Sequence, residues 1–165
     1  MPVVNGVRKI SDVLNKICMA LCVAFLAVMV VVTFVQIICR VFFTALSWSE
    51  EMARYLLIWS TFFGAGCVYK SGSNIAVLIV QDLLPAAIKK IAKILVHVLC
   101  FGFFALAIYN GMRYMNMVGT QTSAALQVPM KYMYLSVPLG CSIMSIHAFS
   151  AILDEIFVKK EEVEA

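Results

Sequence analysis

Residues 17–39 read ICMALCVAFLAVMVVVTFVQIIC, 23 positions without a charged side chain. A bilayer hydrocarbon core about 30 Å thick takes roughly 20 helical residues, so this stretch is long enough to cross it with some tilt. It is longer than the apolar region of a signal peptide, about 7–15 residues, and no small-x-small cleavage site follows it. The expectation is a retained first transmembrane helix.

Working outward, residues 52–69, 94–112 and 132–153 are three further spans, and none of the four contains Asp or Glu. The composition agrees, with 63% hydrophobic and 13% charged residues and a mean hydropathy of +0.96. A soluble domain of 165 residues needs more polar surface, so lipid is the solvent for much of this chain. The expected fold is an all-α integral membrane protein, one membrane domain of four transmembrane helices plus interfacial amphipathic segments. In residues 1–16, Val3, Val7, Ile10 and Leu14 form a stripe that Arg8, Lys9, Asp12 and Lys16 avoid, which suits an interfacial arm. Residues 70–93 contain a run at 75–84 too short to cross, followed by Lys89, Lys90 and Lys93, and are expected to be a second interfacial segment. Residues 154–165 are a charged tail.

Lys and Arg set the orientation. The arm, the 70–93 segment and the tail hold Arg8, Lys9, Lys16, Lys70, Lys89, Lys90, Lys93, Lys159 and Lys160, whereas the opposite loops and flanks hold only Arg40, Arg54, Arg113 and Lys131. The positive-inside rule then places both termini in the cytoplasm. The net charge of +4 has no dense basic run, so nucleic acid is not an expected partner. The cysteines Cys18, Cys22, Cys39, Cys67, Cys100 and Cys141 lie in or beside apolar runs, where they read as small packing residues rather than disulfide partners or metal ligands. No phosphate-cradling glycine loop, His-Glu-x-x-His or nucleophilic serine motif is present, so no catalytic site, metal or cofactor is expected.

The densest polar cluster is Ser47-Trp48-Ser49-Glu50-Glu51-Met52-Ala53-Arg54-Tyr55, leading into the second span. Ser47 or Ser49 can cap that helix, and Glu50 and Glu51 suit the positive end of its dipole. Both carboxylates stand within helical reach of Arg54, at i,i+4 and i,i+3, and Arg40 is a further partner. Two readings stay open: a capped helix end with an interfacial ion pair, and a docking feature facing another protein. Phe63-Gly64-Ala65-Gly66 marks a close helix–helix approach, and Pro138 with Gly140 marks a kink in the fourth span. His97 and His147 lie at comparable depths, which admits a haem-binding anchor as the alternative function. A stand-alone exporter would want a carboxylate deep in the membrane, and the spans carry none.

The ordered set Trp48-Ser49-Glu50-Glu51, Ala53-Arg54-Tyr55, Trp59, Phe63-Gly64-Ala65, Ile75-Ala76-Val77, then Ser123, Leu126, Pro129, Tyr134, Pro138 and Gly140 resembles the small membrane (Q) subunit of tripartite ATP-independent periplasmic (TRAP) transporters. Many relatives have a histidine where Asn74 stands and an acidic residue where Leu78 stands, so roles tied to those positions do not carry over. The resemblance implies a scaffold subunit in a bacterial inner membrane, packed against a large membrane transport subunit. That partner, loaded by a periplasmic substrate-binding protein, would carry out sodium-coupled import of an organic acid, a carboxylate such as sialic acid or a C4-dicarboxylate. It gives Trp48, Glu50, Glu51, Arg54, Tyr55, Trp59 and Gly64 to the subunit interface or to structure. The loop from Arg113 to Lys131 is the candidate contact for the binding protein, with lipid around the rest.

Overall fold

A computed structural model of the chain describes residues 2–71 and 86–155. The 75–84 run and the charged tail from residue 156 lie outside them. The described residues form helices α1 (Pro2–Phe42), α2 (Ser47–Lys70), α3 (Ala86–Met117), the single turn α4 (Lys131–Tyr134) and α5 (Ser136–Leu153). The long helices stand side by side in the order α1, α2, α5, α3. The first turns of α1, the end of α2, the start of α3 and the end of α5 meet at one end of the bundle, here the terminal end. The α1–α2 turn and the loop 118–130 meet at the other, the loop end.

The arm and the first expected span are one uninterrupted helix of 41 residues, roughly 60 Å long. No glycine or proline interrupts it between residues 7 and 42, so nothing in the sequence ends the helix at the membrane edge. The arm's polar residues reach the bundle: Arg8 lies 4.0 Å from Asp154, and Lys70 pairs with Asp12.

Among the described residues, three helical stretches are long and apolar enough to cross a membrane: Gly6–Phe42, Ile91–Met117 and Lys131–Leu153. The first and second bury only 6% of their most apolar window inside the protein, so their surfaces face outward. The α2 helix has 24 residues but does not reach that apolarity. Its position explains why. It lies between α1 and α5 and exchanges aliphatic bulk for Ser60, Gly64 and Gly66, which allow close approach. The α2–α5 seam is tightest at Gly140, where an added Cβ would stand 2.7 Å from Phe62 Cβ. Two apolar clusters flank this seam, one around Phe104, Cys141, Met144 and Ala148, the other around Cys18, Phe63 and Ile143.

The fourth expected span is broken at Leu135, between α4 and α5. Pro138 is the cause, because it has no N–H to offer the Tyr134 carbonyl four residues earlier. The flanking bonds Leu135 N to Lys131 O (3.0 Å) and Leu139 N to Leu135 O (3.1 Å) carry the chain through in near-helical form.

Candidate functional site

At the loop end, residues 118–130 fold into a small hairpin. Thr122 and Pro129 form an antiparallel bridge, the Ser123 amide donates to Val128 O (2.9 Å), and the Met130 amide donates to Gln121 O (2.8 Å). Gln127 turns the chain with φ of 55°, in the left-handed region, and its side-chain amide donates to Ala124 O at 3.1 Å. The turn points two successive backbone amides, Ala125 and Leu126, in one direction.

Glu51, in the first turns of α2, fills that position. Its Oε2 accepts from the Ala125 amide at 2.9 Å and the Leu126 amide at 2.8 Å, while Oε1 accepts from the Tyr55 hydroxyl one helical turn on. The Tyr55 hydroxyl, the two amides and the Ser123 hydroxyl together hold the Glu51 carboxyl well below its ordinary range, at about 2, against the opposing effect of partial burial. Paired backbone N–H groups facing one carboxylate oxygen form an anion nest, and here the anion belongs to the chain itself. Tyr55 is buried and Met130 Sδ lies 3.6 Å from its oxygen, so the latch has an apolar floor.

This geometry reassigns the acidic pair. Arg54 was expected to take Glu50 or Glu51, yet among the described residues it forms no ion pair within 4.0 Å. Glu51 is engaged by the hairpin, and Glu50 accepts from Gln36 Nε2 at 3.4 Å, joining α2 to α1. The expected serine cap is also corrected. The N-cap of α2 is Leu46 without a side-chain hydrogen bond, and Ser49 Oγ turns back to donate to Leu46 O at 2.7 Å. Sequence reasoning missed the hairpin contact. The one local sign of it was Tyr55 at i+4 from Glu51, a spacing that lets the phenol hold one oxygen and leave the other for a distant donor.

The other expected residues spread over the α1–α2 side and the loop end. Trp59 packs with Phe25 and Phe63, ring centroids 6.3 and 5.6 Å away. An added Cβ at Gly64 would meet Cys22 Sγ at 3.5 Å, an ordinary contact. Trp48, Arg54, Arg113 and Lys131 are exposed, with Lys131 Nζ 5.2 Å from the Tyr132 ring centre. Two open grooves adjoin at Tyr134 and Val137. One, of about 520 Å³, carries Glu51, Arg54 and Ser123; the other, of about 750 Å³, carries Asn110 and Arg113. The hairpin, with one cation on each side, is therefore the most elaborated surface of the loop end.

Each histidine bonds a neighbouring helix. His97 Nδ1 lies 2.8 Å from the Tyr69 hydroxyl, and His147 Nδ1 lies 2.8 Å from Ser11 Oγ. Among the described residues no three His, Cys, Asp or Glu side chains gather as a metal site.

Comparison with known proteins bears on what this architecture serves. Residues 29–157 match the family model described as tripartite ATP-independent periplasmic transporters, DctQ component. The chain is 31% identical over 111 residues to the isethionate TRAP transporter permease protein DctMQ of Oleidesulfovibrio alaskensis, covering 66% of this chain and 18% of that protein. It is 29% identical over 99 residues to a putative TRAP transporter small permease protein of Haemophilus influenzae, covering 57% of this chain and 62% of the relative. It is 26% identical over 110 residues to the sialic acid TRAP transporter permease protein SiaT of Haemophilus influenzae, covering 66% of this chain and 18% of that protein. The chain thus spans less than two thirds of the length of each of these relatives.

Proposed function

Because this chain belongs to the family of DctQ components of tripartite ATP-independent periplasmic transporters, we propose that it is the small scaffold subunit of such a transporter, bound in the membrane to a large permease subunit. The observation that carries this reading is the family match across residues 29–157. Two relatives are permease proteins more than five times the length of the matched region, which fits a unit that works beside a larger permease. The spans carry no Asp or Glu, as suits a subunit that holds no ion path of its own.

On this reading all four long helices cross the bilayer, α2 shielded from lipid by α1 and α5, with both termini in the cytoplasm. The Glu51-held hairpin then lies on the periplasmic side, where a substrate-binding protein would meet it, with Arg54, Arg113 and Lys131 as contacts. The transported solute is an organic acid, imported with sodium. The two relatives whose names give a solute differ, one naming isethionate and the other sialic acid; on this reading the choice of anion belongs to another subunit.

The test is copurification in mild detergent from the native membrane. A stoichiometric, larger multi-span permease should accompany the chain; recovery of the chain alone would sink the scaffold reading. In the same complex Arg54→Ala should reduce uptake or complex yield several-fold while membrane insertion is unchanged, and full uptake would remove Arg54 from the interface.

A further inference from the structure

The larger of the two loop-end grooves, about 750 Å³, lies between the last turns of α3 and the start of the broken fourth span. Ala107, Gly111 and Tyr114, at i, i+4 and i+7 on α3, share it with Tyr134 and Val137. Both walls belong to stretches long and apolar enough to cross a membrane, Ile91–Met117 and Lys131–Leu153. The groove is therefore open to the acyl region of one leaflet. Arg113, which also lines it, stands one turn from the end of its stretch, where a long cationic side chain reaches the headgroup layer.

The charges at this end are one-sided. Among the described residues Arg113 has no ion pair within 4.0 Å, nor has Arg54 in the adjoining groove or Lys131 at the start of α4. Glu50 and Glu51 are the only acidic residues described between Asp12 and Asp154. Glu51 is held by the hairpin amides and Tyr55, and Glu50 bonds Gln36 on α1 and lines neither groove. Asn110 has turned its side-chain amide back to Leu106 O at 2.9 Å, so Arg113 is the charged donor left for a visitor.

We propose that this groove binds one anionic phospholipid, with an acyl chain between Ala107 and Val137 and the phosphate on Arg113. An anionic headgroup suits the site better than a zwitterionic one, whose ammonium would enter a field of three cations and find no free carboxylate. A helix of another protein is a poorer occupant. Membrane helices approach one another over small residues, and Gly111, the one glycine here, is spent on α5, where an added Cβ would meet Pro138 Cδ at 3.2 Å. The large lining side chains are Tyr114, Tyr134 and Met117, among which a flexible chain can lie. The site rests on the chain lying in a bilayer; it needs neither a particular orientation nor the transporter reading.

The experiment uses the full chain in detergent with equimolar palmitoyl-oleoyl phosphatidylglycerol and phosphatidylcholine, released in a native mass spectrometer. One phosphatidylglycerol should stay bound, preferred by about tenfold, the worth of one charge-assisted hydrogen bond. Arg113→Gln should abolish the preference and Arg113→Lys should keep most of it, because a lysine still serves a phosphate as a point charge. Arg40→Gln, at the same end but in neither groove, should leave it unchanged. In complexes taken from the native membrane, photoreactive benzoylphenylalanine in place of Met117 should capture phospholipid. Equal retention of the two lipids would overturn the proposal, as would a preference that survives Arg113→Gln or is lost equally in Arg40→Gln. Capture of a protein at position 117 would overturn it too, and would give the groove to a partner helix.

Discussion

Glu51 shows how far one carboxylate can set local structure. Its oxygens collect a phenol and two backbone amides, so the hairpin is held from its apex by a side chain some 75 residues earlier. The pH consequence has a definite sign. The folded-state carboxyl is depressed from 4.5 to about 2, so its contribution is fully present above about 4.5 and is lost as pH falls through about 2. The Ala125 and Leu126 amides should therefore keep their exchange protection down to about pH 4 and lose it below about 2. Glu51→Gln should lower that protection by about tenfold at neutral pH, because an amide oxygen is a weaker acceptor than a carboxylate. Unchanged protection in that variant would mean that the hairpin stands on its own bridge between Thr122 and Pro129. The sequence made Glu51 conspicuous and misdirected its partner. Spacing along a helix exposes only local partners, and the competing donors here are backbone amides, which have no sequence signature at all.

At the scale of elements, the apolar runs announced the long helices because they need only composition and length to be seen. What they could not announce is where a helix fails to stop. The arm was separable on paper by its charges, yet those charges found Asp154 and Lys70 and the helix ran on unbroken. The break at Leu135 was legible from Pro138, whose missing N–H acts at a known distance along the chain. Glycine contacts were legible only as a type. Gly64 and Gly140 both mark close approaches, but the structure ranks them. A Cβ at Gly64 meets the flexible Cys22 thiol at 3.5 Å, whereas at Gly140 it would stand 2.7 Å from Phe62 Cβ and 2.9 Å from its ring. Phe62 Cβ cannot swing away without moving α2. Gly140→Ala should cost about 1–3 kcal/mol, and Gly64→Ala well under 1 kcal/mol, measured by thermal unfolding in detergent. Equal melting shifts would show that the α2–α5 seam has slack that this packing does not display.

For the whole molecule, the question is what surrounds helices that bury so little of themselves. The α1 and α3 helices flank the bundle and turn nearly all their apolar surface outward, whereas α2 and α5 occupy its middle. The α2 helix, the least apolar of the long helices, stands in that middle between α1 and α5, and a composition test alone passes over it. A bundle of this kind crosses the bilayer four times only if α2 is carried across by its neighbours. Single cysteines introduced into a chain freed of its own six thiols decide the matter. Thr120→Cys in the hairpin and Thr44→Cys in the α1–α2 turn should both react with a membrane-impermeant maleimide in spheroplasts, where the outer face of the inner membrane is open. Val4→Cys in the arm should react only after permeabilisation. If Thr44→Cys and Val4→Cys fell on opposite faces but Thr120→Cys shared the face of Val4→Cys, α2 would not cross. The hairpin would then face the cytoplasm, and its role in meeting a periplasmic protein would have to be abandoned.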